Sequence, residues 1–469
     1  MKKESLKTVL STSFLIVITF LAIGYTKMRE NKIPELKYPD VVRLSGALTE
    51  EKIFTKGDGR FGFSLVLDAD NVLKNVCPDE RNVDMVIVLD QSGSMSGKKI
   101  SDAKQAIIKL LSALSDQDRF GLVGYANYAQ IHSGLVNVTP ANRNHLESIV
   151  RSIQPDGGTN LGEGLNQGLR MLETSHPAGN TAKIMLVSDG LANQGITDPQ
   201  KLTQMAENAA RKEFPVCAVG VGTDFNEMLM TGIADRGMGG YYFLETPDSF
   251  FQVFSKEFYN SKRIVASSIE IRIPLSDDVI LESAGGYPVT LKNGYASFCP
   301  GELLSGATRR LFLQFRVPAQ KERSFKISGI EASYRYKDKT WYSRLREDFS
   351  VYCVNDRDEA LASINKNEWE QKVLQSDYSS LKEEVAFDIK RGKKQDALNK
   401  IDMYREKQQV VNAVVGSDMV SENLDKDLRS IEETVNDTFN GPQCEIEKKQ
   451  KTYSKSLQFE AYKGKRDRK

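Results

Sequence analysis

The spacing of apolar residues changes three times along this chain, and each change marks a different kind of element. Phe61, Phe63, Leu65 and Leu67 alternate with smaller or polar residues, the period of a strand with one buried face. The same period returns much later, in Ile269, Ile271, Ile273 and Leu275, in Leu311, Leu313, Phe315 and Val317, and in Ile330, Ala332, Tyr334 and Tyr336. Phe349, Val351 and Cys353 end the series. Between the two β-rich stretches, short apolar runs trade places with helical periods. The pattern predicts strands over 83–90, 119–126, 182–188, 215–221 and 240–244, and helices over 98–114, 143–153, 161–174, 198–213, 225–235 and 247–260. The run Met85 to Leu89 is apolar on both alternation phases, as a central parallel strand covered by helices requires.

These patterns predict an α/β fold: a doubly wound, mostly parallel sheet inserted in an antiparallel β-sandwich and followed by a helical C-terminal region. Residues 41–80 are too few to bury a core alone, so they are expected to join 262–354 in one sandwich, with 81–261 as the insert. The stretch 355–440 is charged and helical in period, with Ala360, Leu361, Ile364, Val410, Val411, Val414 and Val415 as candidate core positions. Residues 441–469 read as a basic tail. At the other end, 1–26 read as an export signal or transmembrane anchor, apolar from Val9 to Gly24 and preceded by Lys2, Lys3 and Lys7. Residues 27–40, with Pro34 and Pro39, read as a linker.

Composition narrows the classes. The 469 residues are 27% charged and 40% hydrophobic with a net charge of +1, a globular balance that argues against a dedicated nucleic-acid binder. Cys217 lies in an apolar strand and reads as a small buried hydrophobe. Cys77, Cys299, Cys353 and Cys444 are candidates for one or two disulfides if the body is exported, and the pairing stays open. None forms a C-x-x-C.

Candidate chemistry concentrates where the first parallel strand ends. In DMVIVLDQSGSMSGKK, Asp90, Ser92 and Ser94 fall at the carboxyl end of the strand, where open α/β sheets place their ligand sites. One carboxylate and two hydroxyls at i, i+2 and i+4 offer only oxygen, a set suited to a hard cation. Two distant segments add to it: Thr159 follows Gly157 and Gly158 ahead of a helix, and Asp189 ends the apolar strand Ile184 to Val187. Asp156 either caps that helix or flanks the site, and Asn160 orders the Thr159 loop. The first turn lacks G-x-G-x-x-G and the chain lacks the G-K-[ST] of a phosphate loop, which argues against nucleotide binding.

Asp90-x-Ser92-x-Ser94, Thr159 and Asp189 together resemble the metal-ion-dependent adhesion site of von Willebrand factor type A domains, over roughly Val83 to Asn260. The resemblance implies that these five residues hold Mg2+, with Ca2+ or Mn2+ as alternatives. It implies a divalent-metal-dependent protein-binding or adhesion module that captures an Asp or Glu of a protein partner at an open coordination position. The alternative is an inner-membrane-anchored assembly factor or scaffold that uses the same ion. The domain order also resembles bacterial envelope proteins and the heavy chains of inter-alpha-trypsin inhibitor. That implies a single-pass bacterial inner-membrane protein with its body in the periplasm, or a secreted or surface protein after signal cleavage. An enzyme is not expected, because His132, His145 and His176 belong to no acid–base pair.

Overall fold

A computed structural model describes residues 41–71, 81–177, 179–245, 249–276, 278–337 and 339–467. Three strands come first: β1 (Val42–Leu48), β2 (Lys52–Phe54) and β3 (Arg60–Ala69). The insert then runs β4 (Val83–Asp90), α1 (Lys98–Ala113), β5 (Arg119–Tyr125), β6 (Ala129–Asn137), α2 (Pro140–Ser152) and α3 (Leu161–Ser175). It continues through β7 (Thr181–Ser188), α4 (Pro199–Arg211), β8 (Val216–Val221), α5 (Glu227–Arg236), β9 (Met238–Leu244) and α6 (Phe250–Lys262). Its sheet has the order β6-β5-β4-β7-β8-β9. Every pairing is parallel except β5 with β6.

Every residue of β4 is buried, because helices cover both faces of the strand. Met85, Ile87 and Leu89 pack with Ile107, Leu110 and Phe254 on one face. Val86 and Val88 pack with Leu165, Leu169 and Leu172 on the other. Strand β6 was not expected from the sequence: its side chains are half-buried or exposed, so no apolar alternation marks it.

Past the insert, β10 (Ile264–Pro274), β11 (Ile280–Ala284), β12 (Thr290–Lys292), β13 (Tyr295–Leu304) and β14 (Thr308–Arg316) follow. β15 (Ser324–Ile327), β16 (Glu331–Tyr336), β17 (Lys339–Arg344) and β18 (Phe349–Val354) complete the β elements. Strand β3 pairs antiparallel with β14 from Arg60↔Arg316 to Asp68↔Thr308, and β2 pairs parallel with β18. The N-terminal β segment therefore shares a core with the later strands, as the sandwich with an insert requires. Phe63 and Leu65 of β3, Phe315 of β14 and Ile271 of β10 lie in that one core.

The C-terminal region is helical, through α7 (Arg357–Ala362), α8 (Lys366–Gln371), α9 (Tyr378–Lys390) and α10 (Lys394–Val415), then α11 (Asp418–Glu422), α12 (Leu428–Thr438) and α13 (Gln443–Lys465). Of the expected core residues here, Ala360 is buried, whereas Val410 and Val414 are exposed. Residues 441–469, expected as a basic tail, are mostly the helix α13, which returns to the insert. Tyr462 packs edge-on against Tyr241 of β9 with ring centroids 5.3 Å apart. Lys455 donates to Phe225 O and Glu227, each at 2.8 Å. Arg466 donates to both oxygens of Asp235, at 2.8 and 2.5 Å, and to Gly286 O at 2.7 Å.

A second buried charge ties the insert to the sandwich. Lys183 of β7 is 1% exposed, 2.6 Å from Glu302 of β13 and 3.4 Å from Glu257 of α6. Burial works against its charge, but the two carboxylates outweigh burial and hold its pKa above the ordinary lysine value.

Two expectations need correction. Among the described residues no helix is long and apolar enough to cross a membrane, so the single-pass inner-membrane topology and the membrane partner are withdrawn. The segment 1–26 on which they rested lies outside the described residues. Cys217, Cys299, Cys353 and Cys444 are free thiols, and Cys77 lies outside the described residues.

The Arg466–Asp235 pair yields a prediction. Asp235→Ala strands a buried guanidinium and is expected to lower the unfolding free energy by about 3–5 kcal/mol in chemical denaturation. The double variant Asp235→Leu with Arg466→Met is expected to recover most of that loss.

Candidate functional site

The carboxyl ends of β4 and β7, with the loops beside them, form a polar crevice. Backbone hydrogen bonds set the first loop: Gln91 N donates to Tyr125 O at 2.9 Å, and Gly93 N to Gly157 O at 3.0 Å. Asp156 N in turn donates to Gln91 O at 2.7 Å, which stitches the 156–159 loop to the 91–93 loop. Gly157 has φ +70°, a left-handed conformation that its missing Cβ permits. Asn193 Oδ1 accepts from Thr159 N at 2.8 Å, which brings in the loop after β7. The cap of α3 is Asn160, whose side chain accepts from Glu163 N, so Asp156 is not the cap.

All five residues singled out in the sequence reach this crevice. Asp90 is fully buried; its Oδ1 accepts from Ser92 N at 2.8 Å and its Oδ2 from Ser188 Oγ at 3.1 Å. Ser92 Oγ and Ser94 Oγ lie 3.0 Å apart, and Ser94 Oγ donates to Asp189 Oδ1 at 2.7 Å. A side-chain carbon at Gly190 would stand 3.7 Å from Ser94 Oγ and 3.8 Å from Thr159 Oγ1, so these hydroxyls flank one point. Asp189 is fully buried, and its Oδ2 accepts from Lys99 Nζ at 2.5 Å.

Lys99 was missed in the sequence, although its place in the first turn of α1 lets it reach back across the strand ends. Its ammonium, on a side chain 29% exposed, supplies the positive charge that Asp189 needs. Asp90 has no such partner. Burial foremost, with the nearby Asp189 carboxylate adding to it, pushes its pKa up to about 6.

This geometry corrects the metal expectation. Among the described residues there is no group of three or more His, Cys, Asp or Glu that could hold a metal ion. The crevice contributes two carboxylates, one held by Lys99 and the other enclosed by hydrogen bonds from Ser92 and Ser188. The other three donors, Ser92, Ser94 and Thr159, are neutral hydroxyls. The assignment of Mg2+, Ca2+ or Mn2+ is therefore withdrawn, and with it the metal-dependent capture of a partner's Asp or Glu and the metal-based scaffold. No histidine offers acid–base chemistry here: His176 Nδ1 lies 2.6 Å from Asp84 Oδ2 at the opposite end of β4, and His132 Nε2 is 3.0 Å from Gln91 Oε1.

A buried parallel strand with a polar crevice at its carboxyl end, one antiparallel edge strand and helices on both faces define the class as a von Willebrand factor A-like domain. Residues 84–256 match the von Willebrand factor type A domain family, so this part of the chain is a domain of that kind. It is distantly similar to inter-alpha-trypsin inhibitor heavy chain H3 of Rattus norvegicus, at 29% identity over 48% of this chain and 25% of that protein. Heavy chain H4 of Homo sapiens is 31% identical over 37% of this chain and 19% of that protein. The chain thus spans about a quarter or less of these relatives' length. A solved von Willebrand factor type A protein from Catenulispora acidiphila shares the fold at a TM-score of 0.66 and 14% identity, covering 91% of this chain and 98% of that one. None of these similarities places the chain in a bacterial envelope. Proteins with this domain are generally non-catalytic adhesion or binding modules.

The Asp90 environment sets a pH dependence. The native carboxyl keeps its proton up to about pH 6, whereas the unfolded one loses it near 3.8. The native state binds more protons in that interval, so this contribution to stability falls as pH rises from 4 to 6, by up to about 3 kcal/mol. Asp90→Asn is expected to remove that fall and to be more stable than the parent at pH 7, a difference that vanishes below pH 4. Urea midpoints of both proteins across this range check it.

Proposed function

We propose that this chain is a non-catalytic protein-binding module that engages its partner through the loop face above the carboxyl ends of β4 and β7. The observation that carries the reading is an apolar fringe on a polar floor. Tyr128 is 78% exposed, Leu191 57% and Ile196 41%, three large apolar side chains grouped on this face, while Ile131, Met228 and Tyr259 stand exposed elsewhere in the insert. All three stand on loops tied to the Thr159 segment. Asn127, beside Tyr128, accepts from Gly158 N and from the Asn160 side chain, at 2.8 and 3.2 Å. Leu191 follows Gly190, and a side-chain carbon at Gly162 in the first turn of α3 would lie 3.0 Å from Ile196.

On the floor Lys99 answers Asp189, and Asp90 is enclosed by hydrogen bonds from Ser92 and Ser188. Affinity on such a surface comes from the aromatic and aliphatic fringe, while the polar floor fixes orientation. The fringe loops rest on a rigid sheet edge, the arrangement by which loops carry recognition.

A photo-reactive benzoylphenylalanine at position 128 of the full chain, expressed in its source cells, tests the reading. Discrete protein adducts are expected, in equal yield with and without chelator, and Leu191→Ser with Ile196→Ser is expected to cut the yield about tenfold. The same adducts from a probe at Tyr342, exposed on the far β-sheet, would overturn it.

A further inference from the structure

A cavity of about 640 Å3 lies between α4 and α5 of the insert and the sheet formed by β12, β13, β10, β16 and β17. Sites for small molecules fall in the range of roughly 300–1,000 Å3. Its sheet-side wall is opened by an irregularity in β10. That strand shifts register repeatedly against β13 between Ile264 and Ile271, and against β16 between Ser267 and Glu270, so the stretch around Ser268 is irregular against both neighbours. Ser268, within this bulge, has φ +50°, and Met238 on the opposite wall has φ +54°. Left-handed backbone is uncommon outside glycine, and bulges and strain of this kind gather at binding sites.

The charges on the walls do not cancel. On the insert side Glu207 answers two guanidinium groups, Arg211 at 2.6 Å and Arg236 at 2.9 Å. Arg335 takes Glu213, and Asp235 is committed to Arg466, which is not part of the lining. On the sheet side the guanidinium of Arg272 lies 4.9 Å from the ring centre of Tyr295 and 3.7 Å from Glu331. Among the described residues Lys292 pairs with no carboxylate and Glu270 with no cation. Five basic side chains thus face four acids that can answer them, Glu207, Glu213 and Glu270 in the lining and Glu331 beside it. The serine hydroxyls of Ser268, Ser297 and Ser333 complete the polar surface.

We propose that this cavity is a binding site for a small hydroxylated organic anion, of the size and chemistry of a sugar phosphate. Its anionic group lies against Arg272 and Lys292, where the positive charge is least answered. Its hydroxyls exchange hydrogen bonds with the serines and donate to Glu270. The site is separate from the loop face and does not depend on the protein-binding reading.

Calorimetry on the full chain with glucose 6-phosphate, glucose and inorganic phosphate as separate probes tests it. Glucose 6-phosphate is expected to bind at least about tenfold more tightly than either of the others. Arg272→Ala with Lys292→Ala, confirmed as folded by circular dichroism, is expected to lose about tenfold or more of that affinity, and Tyr128→Ala none of it. No heat with any probe, binding of inorganic phosphate as tight as that of the sugar phosphate, or full affinity in the double variant would each overturn the proposal.

Discussion

A carboxylate at the end of a buried strand must be met by a cation, a proton or a shell of donors, since burial of an unanswered charge costs several kcal/mol. Both aspartates at the carboxyl edge of the central sheet obey this constraint, in different ways. Asp189 meets the ammonium of Lys99 and the hydroxyl of Ser94. Asp90 lies deeper, takes hydrogen bonds from Ser92 and Ser188, and holds its proton to an unusually high pH. The loop geometry follows, because Ser92, Ser94 and α1 must all come close to these two groups. The same rule operates where the parts of the chain meet. Lys183 is buried between Glu302 of the sandwich and Glu257 of the insert, and Arg466 is buried on Asp235.

How far the chain was legible depends on whether a feature leaves a periodic trace. The parallel strands of the insert were legible because double-sided burial forces a solid apolar run, as in Met85 to Leu89. The shared sandwich was legible because Phe61 to Leu67 repeats the alternation of Leu311 to Val317, and these segments turn out to pair with each other. Strand β6 left no such trace, since an edge strand half in solvent places little selection on alternation. The helix α13 was read as a tail because its lysines and arginines dominate the composition. Its anchoring groups, Lys455, Tyr462 and Arg466, look like solvated residues until a partner such as Asp235 is placed opposite them.

The crevice shows a subtler limit. Asp90, Ser92, Ser94, Thr159 and Asp189 converge because strand ends and glycine turns fix where they must lie. What the set does was not legible, since the charge that settles it comes from Lys99, which ends the quoted stretch but offers no oxygen and so was not counted with the donors. Donor type alone suggested a hard cation. The folded geometry instead offers two carboxylates, already engaged, and three neutral hydroxyls. A motif reports proximity more dependably than occupancy, because proximity follows from topology whereas occupancy depends on every nearby charge.

The buried pairs also bear on how the parts move together. Helix α6 carries Glu257, which shares Lys183 with Glu302 of the sandwich and accepts from Tyr242 of β9. Any displacement of α6 along the sheet would separate Glu257 from Lys183, which is 1% exposed, so the cost would include that of stranding a buried ion. The sandwich thereby acts on α6 through Glu302 without touching the loop face. On the other flank, Lys455 of α13 and Arg466 at its C-terminal cap hold Glu227 and Asp235, at the first and last turns of α5. With α5 and α6 both pinned from outside the insert, the strand ends between them keep a fixed geometry.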